Sequence, residues 1–135
     1  AGEQLDIFNY GKHRRDFTYI DDIVEGIVRV LDQPAIANPL WSGLDPDPSS
    51  SRAPWRVFNI GCQSPVELMD FIGALEQALG KKAIKNLLPM QPGDVEATFA
   101  DVAALEEAVG YRPSTTLKDG IGQFVRWYLD FYGNE

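Results

Sequence analysis

Cysteine and histidine are nearly absent from this sequence, and cationic side chains are outnumbered by acidic ones. Cys62 is the only cysteine, which excludes an internal disulfide and, beside a single histidine, leaves no cysteine–histidine metal cluster. That usage fits a reducing, cytoplasmic compartment. Lys and Arg number 12 against 20 Asp and Glu, a formal net charge of −8 with a pI near 4.6. Such a balance argues against nucleic acid or an anionic membrane surface as partner, while local cations can still hold a small anion. No apolar run approaches the roughly 18 residues of a membrane span, and no segment reads as a secretory signal. Internal repeats are absent. His13 has no Ser, Cys or Asp partnership of the kind a triad needs, so it is expected at the surface.

What is present is a globular composition, 44% hydrophobic and 24% charged, in a chain long enough for one domain with a core. Leu5 to Phe8 alternates as a short strand running into Asn9 and Gly11. Lys12-His13-Arg14-Arg15 is the densest basic run, and an amphipathic helix follows it over about Tyr19 to Leu31. Thr18 reads as its N-cap and Asp21 as the capping-box acid. Ile20, Ile23, Val24, Ile27 and Leu31 recur as a core-facing stripe. A cationic turn fixed to the start of a buried helix suits an anion, and the planar fork of an Arg matches phosphate oxygens best.

A loop from Gln33 to Pro54 then gathers Pro34, Pro39, Pro46, Pro48 and Pro54, and reads as exposed and irregular. Trp55 to Ile60 is the strongest strand pattern, closed by Gly61. Ser64, Pro65 and Glu67 look like N-cap, N1 and N3 of a helix with Leu68, Ile72, Leu75 and Leu79 on one face and Gly80 at its end. Asn86 to Met90 reads as extended, confined to an edge by Pro89. Met90 to Val95 is a turn by composition. A short helix is expected over Val102 to Val109, capped by Asp101 and ended by Gly110. A last helix runs over about Leu117 to Tyr132, with Leu117, Ile121, Phe124, Val125, Tyr128 and Tyr132 as its buried stripe. The order β-α-loop-β-α-β-α-α is α/β in class.

Several residues read as structural. Trp41, Trp55 and Trp127 are expected as core or loop anchors, and Cys62 as a small, partly buried residue without chemistry. Asp21 and Asp22 are neighbours on a helix and do not share a face, so they make a poor acid/base pair.

The segment from Gly11 to Ile23, with its Arg-Asp-Phe-Thr-Tyr-Ile-Asp-Asp core, resembles the C-terminal part of the nucleotide-sugar epimerases of the extended short-chain dehydrogenase/reductase family. It is most similar to the UDP-glucuronate epimerases. The likeness continues through the Trp-Ser-Gly and Pro-Asp-Pro of the loop, Asn59-Ile60-Gly61, Ser64 to Ile72, Met90 to Asp94 and the final Phe-Val-x-Trp-Tyr, spanning about Leu5 to Tyr132. It implies that Arg15 reaches the diphosphate of a UDP-sugar. Asp94 takes the ribose role, since an ionised carboxylate can accept from two vicinal hydroxyls. Gln91 stands where the broader family often has Arg, so its contact is a weaker, neutral hydrogen bond; Gln is usual in sequences that look like UDP-glucuronate epimerases.

The resemblance also implies a division of labour. Residues 1–135 form one C-terminal, nucleotide-sugar-binding domain fragment, with an exposed Pro-rich loop at about 33–54 and without the Rossmann cofactor domain. The Gly-rich turn that approaches a dinucleotide is missing, as is the Tyr-x-x-x-Lys pair that moves the sugar hydroxyl proton. No catalytic, cofactor-binding or metal-ligating residue is therefore expected in this chain. In the full-length enzyme tightly held NAD oxidises the sugar at C4 and hydride returns to the other face of the rotated keto-sugar. Expected partners are the UDP-sugar and an N-terminal Rossmann domain of the same parent. Without that domain, the segment Val57 to Ile60 becomes an unpaired edge, and self-association is expected. The alternatives are a stand-alone binding or structural module, or the same portion of a nucleotide-sugar dehydratase or decarboxylase.

Overall fold

The computed structural model describes residues 2–133. Strand β1 (Gln4–Ile7) pairs in parallel with β4 (Ile84–Leu87), in register from Gln4↔Ile84 to Ile7↔Leu87. Parallel strands need a long crossover, and here it carries most of the chain. Phe8 does not extend β1. It opens a 3-10 turn over Phe8–Gly11 in which Asn9 and Tyr10 take φ of 50° and 52°. Asn tolerates that left-handed region, and its side-chain amide closes the turn on the Lys12 carbonyl at 2.9 Å. Strand β4 begins before the expected Asn86 and stops short of Pro89.

The expected cap at Ser64-Pro65-Glu67 is replaced by a tertiary pairing. Val66–Glu67 forms β3, antiparallel to β2 (Arg14–Arg15), and helix α2 (Leu68–Leu79) starts only after it, with Glu67 at the N-cap position and no side-chain cap. The Leu68 N–H donates to the His13 carbonyl at 2.8 Å, so one orphan donor of the helix is met by the β2 segment instead of by Ser64. Thr18 likewise is not the N-cap of α1 (Ile20–Leu31); Tyr19 holds that position, without a side-chain cap. The Tyr19 ring lies against Gly120, where an added Cβ would sit 3.3 Å from it, and the Tyr19 backbone is extended.

The inward face of α1 is not the apolar stripe. Asp22 and Gly26 are buried and Ile23 is half-buried, whereas Ile20, Val24, Ile27 and Leu31 are exposed, Leu31 to 76%. Gly26 passes Ile60 so closely that a Cβ would be 3.2 Å from the Ile60 side chain. Asp22 accepts from the Thr115 N–H at 2.9 Å and from the Tyr111 hydroxyl at 3.3 Å. The Tyr111 hydroxyl is pushed up to about 12 by burial first and by the Asp22 charge second. The polar face of α1 is thus locked to this chain, and its apolar face is left uncovered.

Trp55 to Ile60 joins no ladder among the described residues; Ser50↔Arg56 is an isolated bridge, and the Val57 N–H donates to the Ser49 carbonyl. A strand pattern becomes a strand only with a partner. The core consists of Ile7, Ile72, Val102, Leu105, Ile121 and Val125. It joins α2, α3 (Ala103–Val109) and α4 (Leu117–Tyr132), with α2 packed on α4. Of the expected stripe of α4, Ile121 and Val125 are buried and Leu117 is half-buried, but Phe124, Tyr128 and Tyr132 are exposed, and so is Trp127. These rings pack on one another instead, Tyr128 on Tyr132 at 5.1 Å and Trp127 near Phe124 at 5.9 Å.

Gly80 and Gly110 end their helices in the left-handed conformation, φ 64° and 62°, which Gly adopts at least cost. Val102, not Asp101, occupies the N-cap position of α3, though the Asp101 carboxylate accepts from the Ala103 N–H at 3.0 Å. Between α1 and β3 the chain is mostly exposed and held by local polar contacts. Asp47 accepts from the Ser50 and Ser49 hydroxyls at 2.6 and 2.7 Å, and these hold its carboxyl down at about 2. Trp41 donates to the Asp47 carbonyl at 3.1 Å, as a loop anchor would. Among the described residues no helix is long and apolar enough to cross a membrane.

Candidate functional site

The site is built where β2 meets the turn after β4. The Arg14 N–H donates to the Glu96 carbonyl at 2.9 Å, and the Thr98 N–H donates back to the Arg14 carbonyl at 3.1 Å. This pairing docks the segment after the Met90–Asp94 turn against the basic run. The turn closes through the Asp94 N–H on the Gln91 carbonyl at 3.2 Å, with Gly93 at φ 82°, a value that a side chain would strain.

The consequence is that Arg15 and Asp94, 79 positions apart in sequence, come within 3.1 Å. One terminal nitrogen of Arg15 donates to Asp94 Oδ1, and the other donates to the Arg14 and Glu96 carbonyls, each at 3.1 Å. Asp94 Oδ1 also accepts from the Val95 N–H at 2.8 Å. Both side chains are half-buried, 23% and 31% exposed, so they are fixed in place yet open to a ligand. Gln91 starts the turn with its side chain exposed and outside this pair. Lys12 is exposed, and Arg14 is an exposed partner of Glu67 at 3.3 Å.

Asp16 and His13 belong to this junction and were not expected there. The Asp16 carboxylate accepts from three backbone amides: Gln63 at 3.1 Å, Ser64 at 3.2 Å and Ala100 at 3.2 Å. It ties β2 to the end of the Trp55–Ile60 segment and to the chain beyond the turn. Gly61 lies beneath it, and a Cβ there would be 2.5 Å from the Ala100 Cβ. His13 is not at the surface; it is 4% exposed, with Nε2 3.4 Å from Asp94 Oδ2. A usable signal existed, because residues two apart on an extended segment share a face, so His13 goes where Arg15 goes. Cys62 is half-buried, as expected, and burial pushes its thiol up.

A fixed cation beside a fixed carboxylate can hold a ligand that carries both an anion and hydroxyls. The guanidinium has five N–H donors, of which the contacts above use only part. Two residues past Arg15, Phe17 stacks on Phe71 at 4.0 Å and lines an apolar cleft of about 300 Å³ with Tyr19, Leu117 and Phe124. Arg15, Asp94 and Gln91 do not line that cleft. Among the described residues no group of His, Cys, Asp and Glu is arranged to hold a metal ion.

Comparison with known proteins bears on the same residues. The model of the NAD dependent epimerase/dehydratase family matches residues 1–40, which include the basic run and α1. A probable UDP-glucuronate 4-epimerase of Rhizobium meliloti is 46% identical over 132 residues, covering 97% of this chain and 39% of its own length. UDP-glucuronate 4-epimerase 4 of Arabidopsis thaliana is 42% identical, covering 99% of this chain and 30% of its own. Among solved structures, the UDP-glucuronic acid 4-epimerase of Bacillus cereus in complex with UDP-glucuronic acid and NAD aligns with a TM-score of 0.73 at 31% identity. That alignment covers 96% of this chain and 36% of the Bacillus chain. The chain thus spans well under half the length of the relatives it matches.

Proposed function

The chain matches the C-terminal part of the extended short-chain dehydrogenase/reductase epimerases, and we propose that it is the nucleotide-holding wall of an NAD-dependent UDP-sugar epimerase acting on UDP-glucuronate. Arg15 takes the diphosphate, Asp94 the ribose hydroxyls and Gln91 a neutral hydrogen bond. The observation that carries this is the approach of Arg15 and Asp94 to 3.1 Å on a rigid, half-exposed junction. A guanidinium is matched to the diphosphate by charge and by planar geometry. Asp94 anchors one oxygen on Arg15 and presents the other.

The turn after β1 does not fit a dinucleotide. Strand β1 runs into a 3-10 turn, not into a glycine turn that opens a helix, so it offers the pyrophosphate no row of amides. On this reading cofactor binding and the transfer of hydride and proton belong to another domain of a longer parent. The uncovered apolar face of α1 and the unpartnered segment from Trp55 to Ile60 supply the surface on which that domain would sit. UDP-glucuronate is preferred among UDP-sugars because relatives at 46% and 42% identity carry that name.

The test is chromatographic, with the parent enzyme and UDP-glucuronate. The C4 epimer should appear, and Arg15→Ala should raise KM by about 10- to 100-fold, the range set by hydrogen bonds to charged groups. Turnover of UDP-glucose in preference to UDP-glucuronate would overturn the substrate, and no epimer from either would overturn the reaction.

A further inference from the structure

We infer that His13 is a positioning residue for the nucleotide, holding the Asp94 carboxylate through an Nε2–H···Oδ2 contact in the orientation that meets the ribose. This rests on the assignment of Asp94 to the ribose hydroxyls. The two oxygens of Asp94 are not equivalent. Oδ1 is engaged by Arg15 at 3.1 Å and by the Val95 N–H at 2.8 Å. Oδ2 makes no hydrogen bond among the described residues, and His13 Nε2 faces it at 3.4 Å. His13 Nε2 is itself fully buried and has no hydrogen-bond partner.

A buried ring nitrogen without a partner is costly, and native interiors rarely keep one. Here the missing partner is already in place. The terminal torsion of an Asp is broad, so a small rotation of the carboxylate about its Oδ1 anchor aligns Oδ2 with the imidazole. The chemistry also fixes the tautomer. A lone pair on Nε2 would face an oxygen lone pair, so the proton sits on Nε2. Being 4% exposed, His13 cannot touch the ligand and acts only through Asp94. Oδ2 has two lone pairs, so it can accept from His13 and from a ribose hydroxyl together. Without His13 the carboxylate pivots on Oδ1, and binding must fix that rotation.

The probe is UDP, titrated into the parent enzyme and followed by calorimetry; no UDP binding by the unsubstituted parent would overturn the assignments of Asp94 and His13 together. His13→Leu should weaken UDP binding about tenfold. His13→Gln, whose amide nitrogen reaches as far as Nε2, should stay within about twofold of wild type. In an Asp94→Ala background His13→Leu should cost nothing more. If the Leu variant does not fold, His13→Asn replaces it: its amide falls short of Oδ2, and it should bind more weakly than His13→Gln. A loss on Asp94→Ala with none on His13→Leu would overturn the role of His13 and leave that of Asp94 standing. Equal losses from His13→Leu with and without Asp94 would also overturn it. Unchanged affinity in Asp94→Ala would overturn both.

Discussion

Replacing Gly61 by Ala tests whether the junction under Arg15 is as tight as it is described. Gly61 has negative φ, so the substitution is a matter of space and not of backbone conformation. The new methyl would lie 2.5 Å from the Ala100 Cβ and 3.0 Å from Asp16 Oδ2. Neither neighbour can swing away, because one is a Cβ fixed to the backbone and the other accepts from the Gln63 and Ala100 amides while its partner oxygen accepts from Ser64. Overpacking of this kind costs about 1–3 kcal/mol, and disturbing a half-buried carboxylate that accepts from three amides puts it at the upper end, near 2–3 kcal/mol. For a chain of this length that corresponds to a fall in Tm of about 6–12 °C. Thermal unfolding followed by circular dichroism reads it directly. Ala100→Gly in the same molecule removes the colliding methyl and should recover at least about half of the loss, a coupling that a double-mutant cycle isolates. An unchanged Tm in Gly61→Ala, or no recovery in the double variant, would refute the packing of Gly61, Asp16 and Ala100.

Other consequences can be checked separately. Glu76 lies nearly buried between Lys82 at 2.9 Å and Lys85, and also accepts from the Ala83 N–H at 3.0 Å. Lys85 foremost, then Lys82, lowers its carboxyl from 4.5 to about 2. Its contribution to stability is therefore complete above about pH 4.5 and is lost as pH falls from there towards 2. In Glu76→Gln, acid unfolding should lose that part of its slope, whereas an unaltered acid limb would count against the cluster. The tyrosinate absorbance should show one late-titrating ring near pH 12, and Tyr111→Phe should remove it. The exposed stripe of α1 and the aromatic end of α4 should drive the isolated chain to associate. Sedimentation should show mass rising with concentration, less steeply in Leu31→Lys; a monomer at all concentrations would contradict this.

The helices were legible wherever local chemistry decided them. Gly80 and Gly110 stop α2 and α3 because the left-handed conformation costs glycine least, and that is written in the chain. Starts were less legible. Ser64-Pro65-Glu67 has the local pattern of a cap, yet pairing of Val66–Glu67 with β2 competes for the same backbone and wins. Periodicity marked the apolar face of α1 correctly as apolar, but period alone cannot say whether its cover lies in the same chain. Trp55 to Ile60 failed as a strand for the same reason: the pattern is local, and the partner is not.

The site followed the same division. The resemblance singles out Arg15 and Asp94, and the structure brings them together; Gln91 stands apart from the pair. His13 has no partner near it in sequence; its neighbour Asp94 is brought in by backbone pairing from the far side of the chain, which no spacing rule encodes. Asp16 is not legible because its partners are backbone amides, which look alike in any sequence.

The central claim is that this chain grips the nucleotide through Arg15 and Asp94. Calorimetric titration of UDP into the chain at low salt tests it most directly, with Arg15→Ala, Asp94→Ala and Lys12→Ala in parallel. Saturable binding, weakened about tenfold or more by the first two and less than about twofold by Lys12→Ala, is the predicted result. Equal effects of Arg15→Ala and Lys12→Ala, or no UDP binding by the chain at millimolar concentration, would contradict it.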